Sequence, residues 1–158
     1  MTADELKKII SEAEQDPKRL AAAVSGVPEA VLKRKPAPGK WCIQEIVGHL
    51  ADSELLFAYR IRQVLADKDP TFSPMDQDAW AQHLGYLEAG VPELVAHFGM
   101  ERHHNLRLLR RARLEDFGKS GFHPERNRQV TLEEIIKYWV GHGPNHLAQI
   151  ERLKKETK

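Results

Sequence analysis

One cysteine, Cys42, stands in the whole chain of 158 residues. No disulfide can form within it, and a lone thiol fits a reducing compartment. An excess of one charge is also missing: 24 Lys and Arg face 23 Asp and Glu. That balance lacks the basic surplus with which a protein grips nucleic acid or an anionic membrane. No apolar run approaches the ~20 residues of a membrane span. The opening segment, MTADELKKIISEAEQ, is charged and amphipathic rather than a secretory leader. We therefore expect a cytoplasmic protein without nucleic-acid or membrane partners. Strand signals are scarce as well, with no alternating run of β-branched and aromatic residues bounded by turns. Repeats and low-complexity segments are absent. With 41% hydrophobic and 30% charged residues, residues 1–158 read as one domain able to bury a core.

What the chain does have is helical period, four times over. The first region covers residues 3–24, with a break expected at Pro17. A short helix follows near Pro28, then the loop Lys35-Pro36-Ala37-Pro38-Gly39-Lys40. The second helix, residues 43–67, carries Ile43, Ile46, Val47, Leu50, Phe57, Ile61, Val64 and Leu65 on one face. A long connection spans residues 68–90, with a turn or two of helix over 76–83 capped by Asp76 or Asp78. The third helix begins at Val91-Pro92-Glu93 and is expected to reach Leu114. A loop over 115–130 leads to the fourth helix, whose start is marked by Thr131 and Glu134 at capping-box spacing. Four long helices with one long crossover between the second and third describe an all-α four-helix bundle.

Eight histidines are also present. His142 and His146 are four apart, so a helix stacks them on one face, and that face continues the stripe Leu132, Ile135, Ile136, Trp139, Ile150, Leu153. Such a pair also arises by chance in a histidine-rich chain. Buried imidazoles without partners, however, cost ~1–3 kcal/mol per unsatisfied group, and a shared metal ion satisfies one nitrogen of each ring. A third ligand must come from another helix, and His49, flanking the stripe of the second helix, is the candidate. Gly143-Pro144-Asn145 separates the pair, so the glutamate of an H-E-x-x-H peptidase is missing. Pro144 lies inside the helix; a kink tolerated by packing and a kink serving the site both remain open. His97, His103 and His104 lack suitably spaced partners, and His83, in the crossover where it could line the cleft, reads as a surface residue. The arginines of the third helix, Arg102, Arg107, Arg110, Arg111 and Arg113, read as a solvated basic face.

These residues resemble the DinB/YfiT-like metalloproteins, in particular the YfiT-like branch that includes bacillithiol transferases. The similar text is His49-Leu50-Ala51-Asp52-Ser53, Asp69-Pro70-Thr71, the run Asp76 to Ala81, His123-Pro124-Glu125, Thr131-Leu132, and Tyr138 to Ile150. The likeness covers the chain from about Lys35 onward. Pro144-Asn145 and Glu54 depart from the usual text. The resemblance implies a four-helix bundle, often a homodimer, with His49, His142 and His146 holding zinc or nickel. It implies a metal-dependent hydrolase or a thiol S-transferase.

Three neutral imidazoles leave the charge of a divalent ion uncompensated and a coordination position open, which is the catalytic pattern. Bound water then ionises near pH ~7, and a thiol, which starts near pKa ~8.5, ionises more readily. The first expectation is a small-molecule thiol, of the bacillithiol type, activated for S-transfer. The second is hydrolysis by hydroxide, and the third a metal-binding module without catalysis. Asp52, one turn from His49, is a candidate proton acceptor or partner for a ligand ring, or simply a hydrogen-bonded helix acid. Trp80 is a candidate substrate contact on the segment expected to cover the site, and otherwise a packing anchor.

Overall fold

The computed structural model describes residues 1–156; the last two residues of the expected 1–158 domain lie outside them. Helix α1 (Ala3–Ala13) starts with a capping box, in which the Glu5 amide donates to the Thr2 hydroxyl and the Thr2 amide to the Glu5 carboxylate. The expected break falls slightly before Pro17: α2 (Asp16–Val24) places that proline in its first turn, where no amide donor is needed. After a short α3 (Glu29–Leu32), α4 (Ile43–Ala66) runs 24 residues, its start fixed by the Cys42 amide donating to Glu45 at 2.8 Å.

In the crossover, Asp76 rather than Asp78 caps α5 (Gln77–His83), accepting from the Ala79 amide at 3.0 Å. Helix α6 (Val91–Leu109) ends five residues short of the expected Leu114. The Arg113 amide turns to the Asp116 carboxylate at 2.9 Å and opens a separate 3-10 turn over Leu114–Gly118. The expectation of a strandless loop is overturned. β1 (Ser120–His123) pairs antiparallel with β2 (Arg128–Thr131), Ser120 facing Thr131 and His123 facing Arg128. Four-residue strands are too short for an alternating pattern to register in sequence. The crossover adds to this hairpin: the Phe72 amide donates to the Phe122 carbonyl at 2.9 Å, and Phe122 to Pro70 at 2.8 Å. Gly121 permits the approach, because a Cβ there would overlap the Phe72 ring. Helix α7 (Leu132–Lys155) begins at the Thr131–Glu134 capping box and continues through Pro144 without a break.

Helices α4, α6, α7 and the broken α1–α2 arm pack together as the four-helix bundle. Its apolar interior falls into two clusters. One gathers Phe57, Ile61, Leu106, Leu109, Ile136 and Trp139; the other gathers Leu20, Ile46, Leu50, Phe98, Ile150 and Leu153. Each of the three long helices passes from one cluster to the other through polar residues: His49, Ser53 and Glu54 on α4, Arg102 and Asn105 on α6, His142 and His146 on α7. A polar layer therefore crosses the core, and everything in it needs a partner.

Candidate metal centre

Half of that layer is an ionic network centred on Arg102. Arg102 is only 1% exposed, which corrects its assignment to a solvated face. Its guanidinium donates to Asp16 at 2.8 Å and to Glu54 at 2.6 Å, and lies 4.3 Å from the Trp139 ring centroid. Glu54 also accepts from the Trp139 indole at 2.8 Å. Burial pushes the carboxyls of Asp16 and Glu54 up, while Arg102 opposes the shift. The sequence held a signal for this: Arg102 follows Phe98 by four residues and precedes Leu106 by four, on the buried stripe of α6. Gly143 gives the network room, since a Cβ there would come within 3.2 Å of the Asp16 carboxylate.

The other half is the histidine trio. His49 from α4 and His142 and His146 from the middle of α7 converge, with ligand nitrogens all within 4.8 Å of one another. The Nε2 atoms of His49 and His142 are 3.1 Å apart. Tetrahedral zinc with bonds of about 2.0–2.1 Å requires neighbouring nitrogens roughly 3.3 Å apart, a spacing the His49–His142 pair is close to. Burial, reinforced by the charge of His146, pushes His49 down to about 3; burial and the charges of His146, His49 and Arg102 push His142 down to about 3. His146 is lowered too, chiefly by burial. All three rings are therefore neutral at pH 7 and offer lone pairs.

The rings are held to different degrees. His146 Nδ1 lies 2.9 Å from Gln149 Oε1, which fixes its orientation and leaves Nε2 for the centre. Trp41 packs on His49 with ring centroids 4.8 Å apart, and Ser53 Oγ sits 3.4 Å from His49 Nε2. His49 Nδ1 is buried without a partner. Asp52, expected as a possible partner for that ring, faces elsewhere and accepts from the Tyr86 hydroxyl at 2.6 Å. Gly48 admits the Tyr86 ring against α4, where a Cβ would overlap it.

A cavity of about 220 Å³ opens beside His49 and His142, lined among others by Phe57, Tyr138, Arg60, Arg126 and His123. The crossover contributes Phe72, Met75 and Gln77 to this lining, whereas Trp80, one turn further along α5, is half-buried and outside it. Sequence reasoning missed Arg60 as a lining residue and gave His123 only as part of the family-like loop, its role there either catalysis or a structural hydrogen bond. In the structure its Nδ1 is buried without one. His83, His97, His103 and His104 take no part in any metal-ligating cluster among the described residues.

Residues 12–150 match the DinB superfamily. The chain belongs to that superfamily. It is 28% identical over 156 residues to "Putative metal-dependent hydrolase YfiT" of Bacillus subtilis, covering 98% of this chain and 87% of that one. A protein of Bacillus pumilus described as "Putative metal-dependent hydrolase" is 27% identical over 157 residues, covering 99% of this chain and 89% of that one. The solved structure of B. subtilis YfiT, described as a probable metal-dependent hydrolase with an unusual four-helix bundle topology, superimposes with a TM-score of 0.93 at 25% identity. The alignment covers 99% of this DinB chain and 90% of YfiT. No helix among the described residues is long and apolar enough to cross a membrane.

Proposed function

We propose that this DinB-superfamily chain is a metal-dependent enzyme whose divalent ion, zinc or nickel, is held by His49, His142 and His146. The observation that carries the reading is the convergence of three neutral imidazoles, one buried and two half-buried, at one point beside a cavity. The ion supplies Lewis acidity, which lowers the pKa of a thiol or water beside it. Phe57, Leu56 and Ile135 line the cavity and limit water access, while His146, braced by Gln149, and His49, packed by Trp41, keep the ligand rings in register.

The reaction we favour is transfer of a small-molecule thiol to an electrophilic carbon. A carbon–sulfur bond forms, the leaving group departs with its electron pair, and the thiol proton passes to solvent. This needs no strong base, and the three carboxylates nearest His49 in sequence are engaged elsewhere, Asp52 with Tyr86, Glu45 with Lys35 and the Cys42 amide, and Glu54 with Arg102. Titration of the zinc-loaded protein with bacillithiol tests it. Binding that vanishes in His142→Ala supports the transferase; no thiol binding refutes it.

The second reading is hydrolysis. It is favoured by the description of YfiT as a metal-dependent hydrolase and by Glu125, a cavity carboxylate with no ion-pair partner among the described residues. Ester or amide turnover by the zinc-loaded protein, lost in His142→Ala, would establish it. A homodimer, implied by the family resemblance, belongs to the same proposal, and sedimentation velocity tests it.

A further inference from the structure

The cavity beside the histidine trio has a second polar end, where positive charge is in excess. Arg60 reaches it from α4, and Arg126 from the turn between β1 and β2. Arg102 shows how this protein treats a cation it keeps for structure: its Nε too lacks an acceptor, but two carboxylates lie within 3 Å of its other nitrogens. Arg60 and Arg126 have no such partner among the described residues. Arg60 Nη2 donates to the Ser73 carbonyl at 2.8 Å, but its Nε is buried with no acceptor at all. A buried N–H left in that state is destabilising unless something else supplies the acceptor.

Both guanidiniums are steadied in another way. Arg60 lies 5.6 Å from the centroid of the Phe72 ring and Arg126 5.6 Å from that of Tyr138. An aromatic face attracts the cation without using its N–H donors, so the donors stay available. The remaining charges here do not cancel the pair. Glu134 is occupied by the Thr131 amide and by Arg128. That leaves two guanidiniums against one carboxylate, Glu125. Burial and the nearby charge of Arg126 draw the pKa of Arg60 down, and Glu125 draws it back up. His123, beside them, is held below its ordinary value by burial and by Arg60, so it is neutral at pH 7 and its orphaned Nδ1 is a further hydrogen-bonding group.

We propose that Arg60 and Arg126 form an oxyanion subsite, and that the substrate is a small molecule with a carboxylate or phosphate at that end and its reacting group at the end near His49 and His142. The fork of a guanidinium matches either oxyanion. The placement of the reacting group rests on the metal-centre reading above; the anion subsite itself does not.

The test is calorimetric titration of the zinc-loaded protein with mercaptocarboxylates of increasing chain length, each paired with the mercaptoalcohol of the same length. One member of the acid series should bind about tenfold more tightly than its alcohol, the gain expected of one charge-assisted hydrogen-bond pair. Arg126→Gln, on an exposed turn, and Arg60→Gln should each abolish that preference while leaving the alcohol's affinity and the zinc content unchanged. Equal affinities along the whole series, or a preference that survives in Arg126→Gln, would overturn the subsite. Should no thiol bind, the transferase reading fails, and inorganic phosphate titrated onto the metal-free protein decides the subsite. Tighter phosphate binding by wild type than by Arg126→Gln upholds it, and equal binding overturns it.

Discussion

Replacing Arg102 with methionine would remove the cation of the polar layer and leave its two anions behind. The guanidinium is 2.8 Å from the Asp16 carboxylate and 2.6 Å from that of Glu54, with all three side chains no more than 2% exposed. Methionine fills much of the volume between Phe98 and Trp139, so packing loss is the smaller contribution. Removing one partner of a buried ion pair costs about 3–5 kcal/mol, because the stranded charge has no solvent to turn to. Set against a total stability of about 5–15 kcal/mol, that loss brings the fold close to its limit. The stranded charges also fix a pH signature. Burial raises the folded-state pKa of Asp16 and Glu54 above the unfolded value even with Arg102 present, and removing the cation raises it further. The penalty is therefore full above the folded pKa and shrinks as pH falls through it towards the unfolded value near ~4. Urea unfolding of wild type and Arg102→Met at pH 7 and pH 5 measures both effects. A deficit under about 1 kcal/mol at pH 7, or one that does not narrow at pH 5, would refute the reasoning.

The histidines impose the opposite slope on the metal-free wild type. His49 and His142 are held at about 3 in the folded state against ~6.5 unfolded, so the unfolded chain takes up their protons first. Their contribution is complete above pH ~6.5 and drains away as pH falls towards 3. Metal-free protein should thus have a lower urea midpoint at pH 5 than at pH 7.5, and a flat or rising midpoint would contradict the burial of the trio. Asp52→Asn should keep full zinc content and lose about 1 kcal/mol through its bond to Tyr86; a large drop in zinc by elemental analysis would mean that Asp52 supports the centre after all. Gly48→Ala places a methyl group against the Tyr86 ring and should cost about 1–3 kcal/mol by overpacking, so a thermal midpoint within error of wild type would show that the ring can move aside.

The bundle and the trio were legible because they are periodic features. His142 and His146 occupy positions of the α7 stripe that otherwise hold Trp139 and Ile150, and the capping box at Thr131 fixes where that helix starts. What sequence did not disclose depends on contacts between distant segments. Ser120–His123 and Arg128–Thr131 become strands because they pair with each other and with Thr71 and Phe72 of the crossover. Asp52 precedes Ser53 in the His49 motif, but Tyr86, 34 residues away, takes its carboxylate. Trp80 belongs to the crossover, yet Phe72, Met75 and Gln77 are the members of that segment that reach the cavity. Arg102 is the instructive case. Its place on the α6 stripe was readable, but the two acids that make its burial tolerable sit 86 and 48 residues away.

Elemental analysis of the protein prepared without a histidine tag, after saturation with zinc or nickel and removal of the excess, bears most directly on the three imidazoles. Wild type should retain one ion per chain, and His146→Ala, which breaks the trio while keeping the fold by circular dichroism, should retain almost none. A wild type that stays metal-free, or a His146→Ala variant that holds the ion as tightly as wild type, would contradict the shared site.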